Sequence, residues 1–265
     1  MNVEKAETAL QASYAAGATR YREDDNIEVN TPHHRRLAAR LAEISSSFGR
    51  PISVLDVGCG TGRYFYCLRN VDRLVAMDIT PEMLAAARAP VNGHLITAQS
   101  VELVRGNIFS ASFPSQSFDF IYSFGMFGHG CPVTVEVCNK LHSWLRPEGH
   151  LFFDTIDVAG LPWAERVRKR ARKALYSFGP KSLKTLLDRR ETDTPFFGLT
   201  RRELEDILAA STFSRFSVSS EVCESPLWQG RHLECLAEIP PVVPSSHQPD
   251  GLTRRYPPPR KTPEK

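Results

Sequence analysis

The chain of 265 residues is long enough for one large domain with appendages. Apolar residues make up 42% of it, charged residues 24%, and the formal net charge is +3, which is typical of a soluble globular protein with a proper core. It contains no run of about 18 apolar residues, so we expect no transmembrane helix. The start, MNVEKAETALQASYAAG, lacks the long apolar segment of a secretory signal, so we expect a cytoplasmic protein.

The first thirty residues are polar and weakly patterned, and we expect residues 1–30 to form a helical or flexible cap segment. A helix is predicted next, because Thr31 is a suitable N-cap, Pro32 suits the first turn and apolar residues recur at helical spacing. Gly49 is expected to end this helix.

Strand and helix patterns then alternate. Strands are predicted at 52–58, 73–78, 101–107, 118–123 and 150–155, and helices from about Arg63, from Pro81 and over about 133–145. This alternation predicts an α/β fold with a mostly parallel sheet and helices on both faces. A further helix near 200–210 and strands near 214–222 and 231–239 complete a domain over 31–239. Residues 240–265 contain eight prolines, so we expect a disordered tail.

The six cysteines are scattered and form no CxxC pair. Structural zinc sites and small disulfide scaffolds both have tighter spacing. We therefore expect reduced and mostly buried thiols, which agrees with a cytoplasmic location.

The stretch VLDVGCGTGRYF, at 54–65, is the sharpest motif. It follows the first strand, where the carboxyl edge of a parallel sheet binds ligands, and its glycines allow the backbone to turn tightly. The spacing is GxGxG, and Arg63 stands where a dinucleotide site would have its last glycine. Asp78 ends the next strand, eighteen residues after Gly60, where a carboxylate can accept hydrogen bonds from both hydroxyls of a ribose.

Four stretches together resemble the class I S-adenosylmethionine-dependent methyltransferases, of the small-molecule type with a methyltransferase-11/25-like domain, over roughly residues 30–240. They are LDVGCGTG, MDITPEML, RGNIFSASFPSQSFDFIYS and LHSWLRPEGHLFFD. In the last, Glu148 replaces the first glycine of the family's pattern, which we interpret as a harmless turn variation. The resemblance implies a Rossmann-like sheet of seven strands, with strand seven antiparallel between strands five and six, and a helical insertion after strand five.

The resemblance also implies S-adenosyl-L-methionine as cofactor. The expected cofactor-binding residues are Asp56, Gly58, Cys59 and Gly60 near the methionine part, Asp78 at the ribose, Ile79, Met83, Asn107 and Ile108 around the adenine, and Ser123 and Phe124 after strand four.

Methyl transfer needs a base only if the acceptor is a neutral hydroxyl or a protonated amine. His129, in the loop after strand four, is the candidate base, and the alternative is a histidine that only anchors this loop. The candidate substrate-pocket residues are Tyr14, Tyr21, Phe127, Asp154 and Trp163. Asp154 and Asp157 lack two further clustered ligands, and His33 and His34 lie in a helix turn, so no metal site is predicted.

The stretch RVRKRARKALYSFGPKSLK, at 166–184, is rich in lysine and arginine and has no acidic residue. It lies in a predicted basic helical insertion over 158–198, which we interpret as part of the acceptor pocket or as a lid. The alternatives are a solvated helix, a membrane-surface helix over 163–178 and a nucleic-acid contact.

The predicted activity is methyl transfer to an oxygen or nitrogen of a small molecule, which the basic insertion suggests to be anionic or amphiphilic. One alternative is a tRNA or protein methyltransferase that docks its substrate through the insertion. Another is a catalytically silent partner subunit. A base-methylating motif of the NPPY type is replaced by SFGM after strand four, which disfavours nucleic acid.

Overall fold

The computed structural model describes residues 3–161, 197–227 and 229–241. Trp163, the stretch 166–184, the segment 163–178, most of the insertion 158–198 and nearly all of the tail 240–265 therefore lie outside the described residues. The described elements, in chain order, are α1 (Val3–Glu28), α2 (Pro32–Ser47), β1 (Ile52–Val57), β2 (Val71–Asp78), α3 (Pro81–Ala87), β3 (Ser100–Arg105), β4 (Phe118–Ser123), α4 (Val135–Trp144), β5 (Leu145–Ile156), α5 (Arg201–Ala209), β6 (Arg215–Glu224) and β7 (Gln229–Glu238).

The strands form a seven-stranded sheet in the order β3-β2-β1-β4-β5-β7-β6. The pairs among β1 to β5 are parallel, whereas β7 is antiparallel to both β5 and β6. The predicted Rossmann-like sheet, with strand seven between strands five and six, is confirmed. The strand order reverses between β1 and β4, and ligands bind at such a switch point, outside the carboxyl ends of the strands.

Apolar residues cover both faces of this sheet. On one face α2 buries Leu37, Leu41 and Ile44, the residues whose spacing predicted the helix. On the other face α4 and α5 bury a second cluster, which includes Leu141 and Leu204. All six cysteines are buried and none forms a disulfide, as predicted. No helix in the described part of the chain is long and apolar enough to cross a membrane.

The helix predicted from about Arg63 is wrong, because only a 3₁₀ turn at Phe65–Cys67 follows the glycine-rich loop. The loop ends at Gly62 with a φ of 80°, and β2 already begins at Val71. The short connection between them buries Phe65, Cys67 and Leu68, which leaves no room for an α-helix with both of its ends.

Strand β5 begins at Leu145, five residues earlier than predicted, and the expected turn lies inside it. The pairing with β4 is irregular there, since Phe118 faces Leu145 but Phe120 faces His150. Glu148 has a φ of 63°, a left-handed conformation that costs a non-glycine residue about 1 kcal/mol. The replacement of the family's glycine at this position is therefore a strained variation and not a harmless one.

Candidate functional site

The glycine-rich loop turns back sharply at the carboxyl end of β1. The backbone N–H groups of Gly58 and Cys59 both donate to the Met77 carbonyl oxygen, at 2.8 and 3.0 Å, which fixes the loop against β2. Gly58 has a φ of 76°, and a Cβ there would lie 2.8 Å from Met126 Sδ in the loop after β4. Only glycine satisfies both the backbone angle and this close approach.

Asp78, at the end of β2, is tied directly to this loop. Its Oδ2 accepts a hydrogen bond from Gly60 N at 2.8 Å, and its Oδ1 accepts one from Thr80 N at 2.8 Å. Burial raises the pKa of Asp78, although the hydrogen bonds from Thr80 and Gly60 act in the opposite direction. The carboxylate thus joins the two segments that the sequence motifs single out.

The residues expected around the adenine lie at the neighbouring strand ends. Ile79 and Met83 follow β2, and Asn107 and Ile108 follow β3. Met83 and Ile108 are buried, whereas Ile79 and Asn107 are half-buried. The fold brings both pairs to the same edge of the sheet, since β2 and β3 are parallel neighbours.

Asp56 lies near the end of β1 with its carboxyl group buried beside Tyr122. Burial raises the pKa of Asp56 to about 8, with a smaller contribution from the Asp78 charge, while the Tyr122 hydroxyl acts to lower it. Asp56 therefore holds its proton at neutral pH.

This shift predicts that Asp56→Asn stabilises the ligand-free protein. In the unfolded chain the carboxyl group ionises above about pH 4, but in the folded protein it keeps its proton up to about pH 8, so the cost of folding grows between these values. We expect the free energy of unfolding to rise, by more at pH 8 than at pH 5, measured by urea denaturation. Asp119→Asn is the control, because Asp119 is buried but paired with Arg50 and Arg146, and its loss should destabilise.

The loop after β4 connects the glycine-rich loop to β5. Ser123 Oγ donates to the Val57 carbonyl oxygen at 2.7 Å, and Gly125 N donates to Asp154 Oδ1 at 2.7 Å. The Phe124 ring lies 4.9 Å from the Tyr64 ring and forms, with it, an aromatic wall beside these groups.

Phe127 and His129, two candidate site residues in the loop after β4, differ in their burial and surroundings. Phe127 is buried and packs against Phe153 at 5.2 Å in the core, so it does not have the position of a pocket wall. His129 is half-buried between Gly128 and Gly130, which have φ angles of 86° and 83°. Its place in this tight loop is compatible with either a base or an anchor.

Helix α1 lies against the glycine-rich loop, which it contacts through Asp25. The rings of Tyr14 and Tyr21 are 5.8 Å apart. Burial raises the pKa of Tyr14, and the charges of Tyr21 and Asp78 raise this pKa further. The Tyr14 hydroxyl therefore lies close enough to the Asp78 carboxylate to feel its charge. The segment 1–30, which was predicted to be helical or flexible, forms the long helix α1 over Val3–Glu28.

Asp25 of α1 is fully buried and holds the glycine-rich loop, a role that no sequence motif indicates. Thr61 Oγ1 donates to Asp25 Oδ2 at 2.5 Å, and Arg63 Nε donates to Asp25 Oδ1 at 2.6 Å. Glu28, one turn later, lies 4.0 Å from Arg63 and accepts a hydrogen bond from the Ser225 hydroxyl. Helix α1, which is distant in sequence, therefore supplies the hydrogen-bond acceptor for Thr61 and Arg63 of the glycine-rich motif.

A second cluster of buried polar side chains lies where β5 and β7 meet α2. Asp154 Oδ2 is 2.7 Å from His232 Nδ1, and the His33 ring stands edge-on to the His232 ring at 5.5 Å. Burial lowers the pKa of His232, but the Asp154 and Glu234 carboxylates outweigh it and raise this pKa. Burial by itself would raise the pKa of Asp154, but the His232 charge and hydrogen bond lower it.

His33, Asp154 and His232 have ligand atoms that all lie within 4.8 Å of one another, so they supply the two clustered ligands that the sequence did not suggest. Two contacts disfavour a metal ion. Arg36 Nη2 is 3.2 Å from His33 Nδ1, where its positive charge opposes a bound cation. Two ligands at about 2.0–2.2 Å from one ion are roughly 3 Å apart, farther than the 2.7 Å between Asp154 and His232.

Comparisons with known proteins relate part of the chain to a protein family and to characterised enzymes. Residues 54–149 match the methyltransferase domain family. The chain is 30% identical over 132 residues to malonyl-[acyl-carrier protein] O-methyltransferase from Halalkalibacterium halodurans, covering 46% of this chain and 47% of the relative. It is 27% identical over 158 residues to demethylmenaquinone methyltransferase from Listeria monocytogenes, covering 56% and 65%. The chain thus matches only about half to two thirds of the length of these curated relatives.

Solved structures with the same fold extend over most of the chain. The 1,6-didemethyltoxoflavin-N1-methyltransferase of Burkholderia thailandensis, solved with 1,6-didemethyltoxoflavin and S-adenosylhomocysteine, has a TM-score of 0.57 at 18% identity and covers 91% of each chain. The DhpI complex with SAH has a TM-score of 0.53 at 20% identity and covers 89% of this chain and 97% of the other. The solved structures show the fold over most of the chain, and with the matched domain and the sheet order they support a class I S-adenosylmethionine-dependent methyltransferase.

Proposed function

We propose that the protein transfers a methyl group from S-adenosylmethionine to an oxygen or nitrogen of a small-molecule acceptor. The observation that carries this proposal is the contact between Asp78 and Gly60 at the carboxyl edge of the sheet. It joins the carboxylate expected at the ribose to the loop expected at the methionine part, at the point where the strand order reverses.

The proposed cofactor site extends from this contact in both directions. We assign Asp56, Gly58, Cys59 and Gly60 to the methionine part, Asp78 to the ribose, Ile79, Met83, Asn107 and Ile108 to the adenine, and Ser123 and Phe124 to the end that carries the methyl group. Their common position at one sheet edge supports the assignment.

S-adenosylmethionine supplies an electrophilic methyl group, which the acceptor atom takes by in-line displacement. The protein must align the acceptor and exclude water, because a displacement of this kind depends mainly on orientation. The aromatic wall of Tyr64 and Phe124 and the covering helix α1 suit these two tasks. Proton removal, where the acceptor needs it, requires a basic side chain close to this wall, and His129 is the candidate from the sequence.

The small-molecule acceptor is supported by the relatives, which are named as acting on demethylmenaquinone and on a toxoflavin precursor, although malonyl-acyl-carrier protein is a protein-bound substrate. Tyr14, Tyr21 and Asp154 are the described residues proposed to contact the acceptor. The proposal of an anionic or amphiphilic acceptor, and that of a tRNA or membrane contact, depends on the basic stretch outside the described residues. The presence of Asp56, Gly58, Gly60 and Asp78 favours an active enzyme over a silent partner subunit.

Two measurements test the proposed function. Calorimetry should show that the protein binds S-adenosylmethionine and S-adenosylhomocysteine. If it binds neither compound, the proposed methyltransferase activity is contradicted. Methyl-labelled S-adenosylmethionine should then label the small-metabolite fraction of a cell extract divided into RNA, protein, lipid and small metabolites. Label in the RNA or protein fraction alone would favour the corresponding alternative substrate.

A further inference from the structure

The loop that follows β3, residues 106–111, is called the β3 loop here and contains two residues proposed to contact the adenine, Asn107 and Ile108. Its first residue is tied to β2, because Gly106 N donates to the Asp78 carbonyl oxygen at 3.0 Å. The Ile108 side chain is 5% exposed and belongs to the apolar cluster that α4 and α5 cover. The β3 loop therefore begins beside the residue assigned to the ribose and is anchored towards α4.

The hydrogen bonds within the β3 loop orient the Asn107 side chain. Its Oδ1 accepts from Phe109 N at 2.9 Å, and its backbone carbonyl oxygen accepts from Ser110 N and Ala111 N, at 3.0 and 2.7 Å. The two ends of a planar amide point in different directions, so Nδ2, which is a donor, is directed away from Phe109 N. A donor matches N1 of adenine, which has a lone pair, but not N1 of hypoxanthine, which carries a hydrogen.

Lys140 of α4 holds the same loop from the other side, although it lies in none of the cofactor motifs. Its Nζ donates to the Ile108 and Phe109 carbonyl oxygens, at 3.0 and 2.8 Å. The ammonium also lies 5.6 Å from the centroid of the Trp144 ring, one turn further along α4, which is within the range of a cation–π contact. Two backbone carbonyl groups and one aromatic ring thus fix the position of this ammonium relative to the loop.

Lys140 and Asn107 bind the two ends of one peptide group. The Ile108 carbonyl and the Phe109 N–H belong to the same planar unit, in which they point in opposite directions. Lys140 Nζ binds this carbonyl oxygen, and Asn107 Oδ1 accepts from this N–H. The bond from Lys140 therefore sets the plane of the peptide group whose N–H orients the Asn107 amide.

We infer that Lys140 is a positioning residue of the cofactor site, which through this peptide group directs Asn107 Nδ2 towards the purine base and so selects adenine over hypoxanthine. This inference rests on the proposed function. A site built around a hydrogen bond to its ligand discriminates against an analogue that cannot form this bond. Loss of Lys140 should therefore weaken binding of the adenine ligand and leave binding of the hypoxanthine analogue almost unchanged.

The experiment compares Lys140→Met and Lys140→Arg with Asn139→Ala in the full chain. Asn139 is a matched control, because it is the preceding residue of α4 and also binds a loop backbone, accepting from Thr212 N at 2.8 Å. That loop precedes β6, which lies at the opposite edge of the sheet from β3. The measurements are the Kd values for S-adenosylhomocysteine and for S-inosylhomocysteine, its deaminated analogue, by calorimetry, and the stability by urea denaturation.

We expect Lys140→Met to raise the Kd for S-adenosylhomocysteine about tenfold, while the Kd for S-inosylhomocysteine stays within about threefold of the wild-type value. Lys140→Arg should bind both ligands within about threefold of the wild type, because a guanidinium can donate to both carbonyl groups. Asn139→Ala should lower the stability and leave both Kd values unchanged. A purely structural role of Lys140 would weaken both ligands alike, so the ratio of the two Kd values separates positioning from folding.

Three outcomes would overturn the inference in a wild type that binds S-adenosylhomocysteine. They are a Lys140→Met protein that binds S-adenosylhomocysteine within threefold of the wild type, an equal loss for both ligands, and an equal loss in Asn139→Ala. If Lys140→Met does not fold, Lys140→Gln takes its place under the same criteria, since its amide keeps a donor. A wild type that does not bind S-adenosylhomocysteine contradicts the proposed function itself.

Discussion

Asp78→Ala is expected to raise the Kd for S-adenosylhomocysteine at least 100-fold, which corresponds to about 2.7 kcal/mol. The ribose hydroxyls would lose hydrogen bonds to a charged acceptor, each of which contributes about 1.5–3 kcal/mol. The change also removes the acceptor of the Gly60 and Thr80 N–H groups, so the glycine-rich loop loses its tie to the end of β2. Isothermal titration calorimetry measures the effect directly and needs no acceptor.

Asp72→Ala is the control for this result. Asp72 lies near the start of the same strand and is exposed at the opposite edge of the sheet, so its loss should leave the Kd unchanged. Asp78→Asn separates the two contributions, because an amide keeps one acceptor oxygen but not the charge. An Asp78→Ala protein that binds within threefold of the wild type would show that Asp78 does not hold the ribose.

The position of the proposed cofactor-binding residues at one edge of the sheet could be predicted from the sequence, because these residues follow strand ends. Asp56, Gly60 and Asp78 lie within short motifs, and parallel strands bring the ends of such motifs to one edge. The strand order was implied by the resemblance, and both ends of β4 agree with the prediction to the residue. Local sequence patterns thus predict where a strand begins and ends.

The other contacts of the site could not be predicted, because they join segments that are far apart in sequence. Asp25 reaches Thr61 across 36 residues, and His232 meets an aspartate on another strand and a histidine on another helix. Asp25 and His232 lie in none of the motifs, and each is an ordinary polar residue in its own helix or strand. Only the antiparallel placement of β7 brings His232 beside Asp154.

The two errors in the fold have a common physical origin. The segment after Gly62 has a helical pattern but too few residues before β2, and burial of Phe65 and Cys67 takes precedence over helix formation. Glu148 adopts a left-handed angle because the register between β4 and β5 requires it, whatever the preference of the residue. In both places tertiary packing overrides local preference.

Asp25→Asn is expected to lower the free energy of unfolding by about 3 kcal/mol and to weaken binding of S-adenosylhomocysteine about tenfold. Loss of one partner of a buried ion pair costs about 3–5 kcal/mol, because the other charge stays buried without compensation. The lower end applies here, since Glu28 remains 4.0 Å from Arg63. The affinity falls because Thr61 and Arg63, which flank Gly62, lose the acceptor that orders the loop before the ligand arrives.

Asp24→Asn is the matched control, since Asp24 is the preceding residue of the same helix and lies 3.6 Å from the exposed side chain of Arg20. Its effect on stability should stay within about 0.5 kcal/mol. Urea denaturation and calorimetry on both variants separate the two roles of Asp25. If Asp25→Asn loses stability but binds S-adenosylhomocysteine as the wild type does, α1 only holds the fold together. If both quantities fall while Asp24→Asn is unchanged, the helix that covers the site also orders the loop that binds the cofactor, because a single buried carboxylate bonds to both flanks of Gly62.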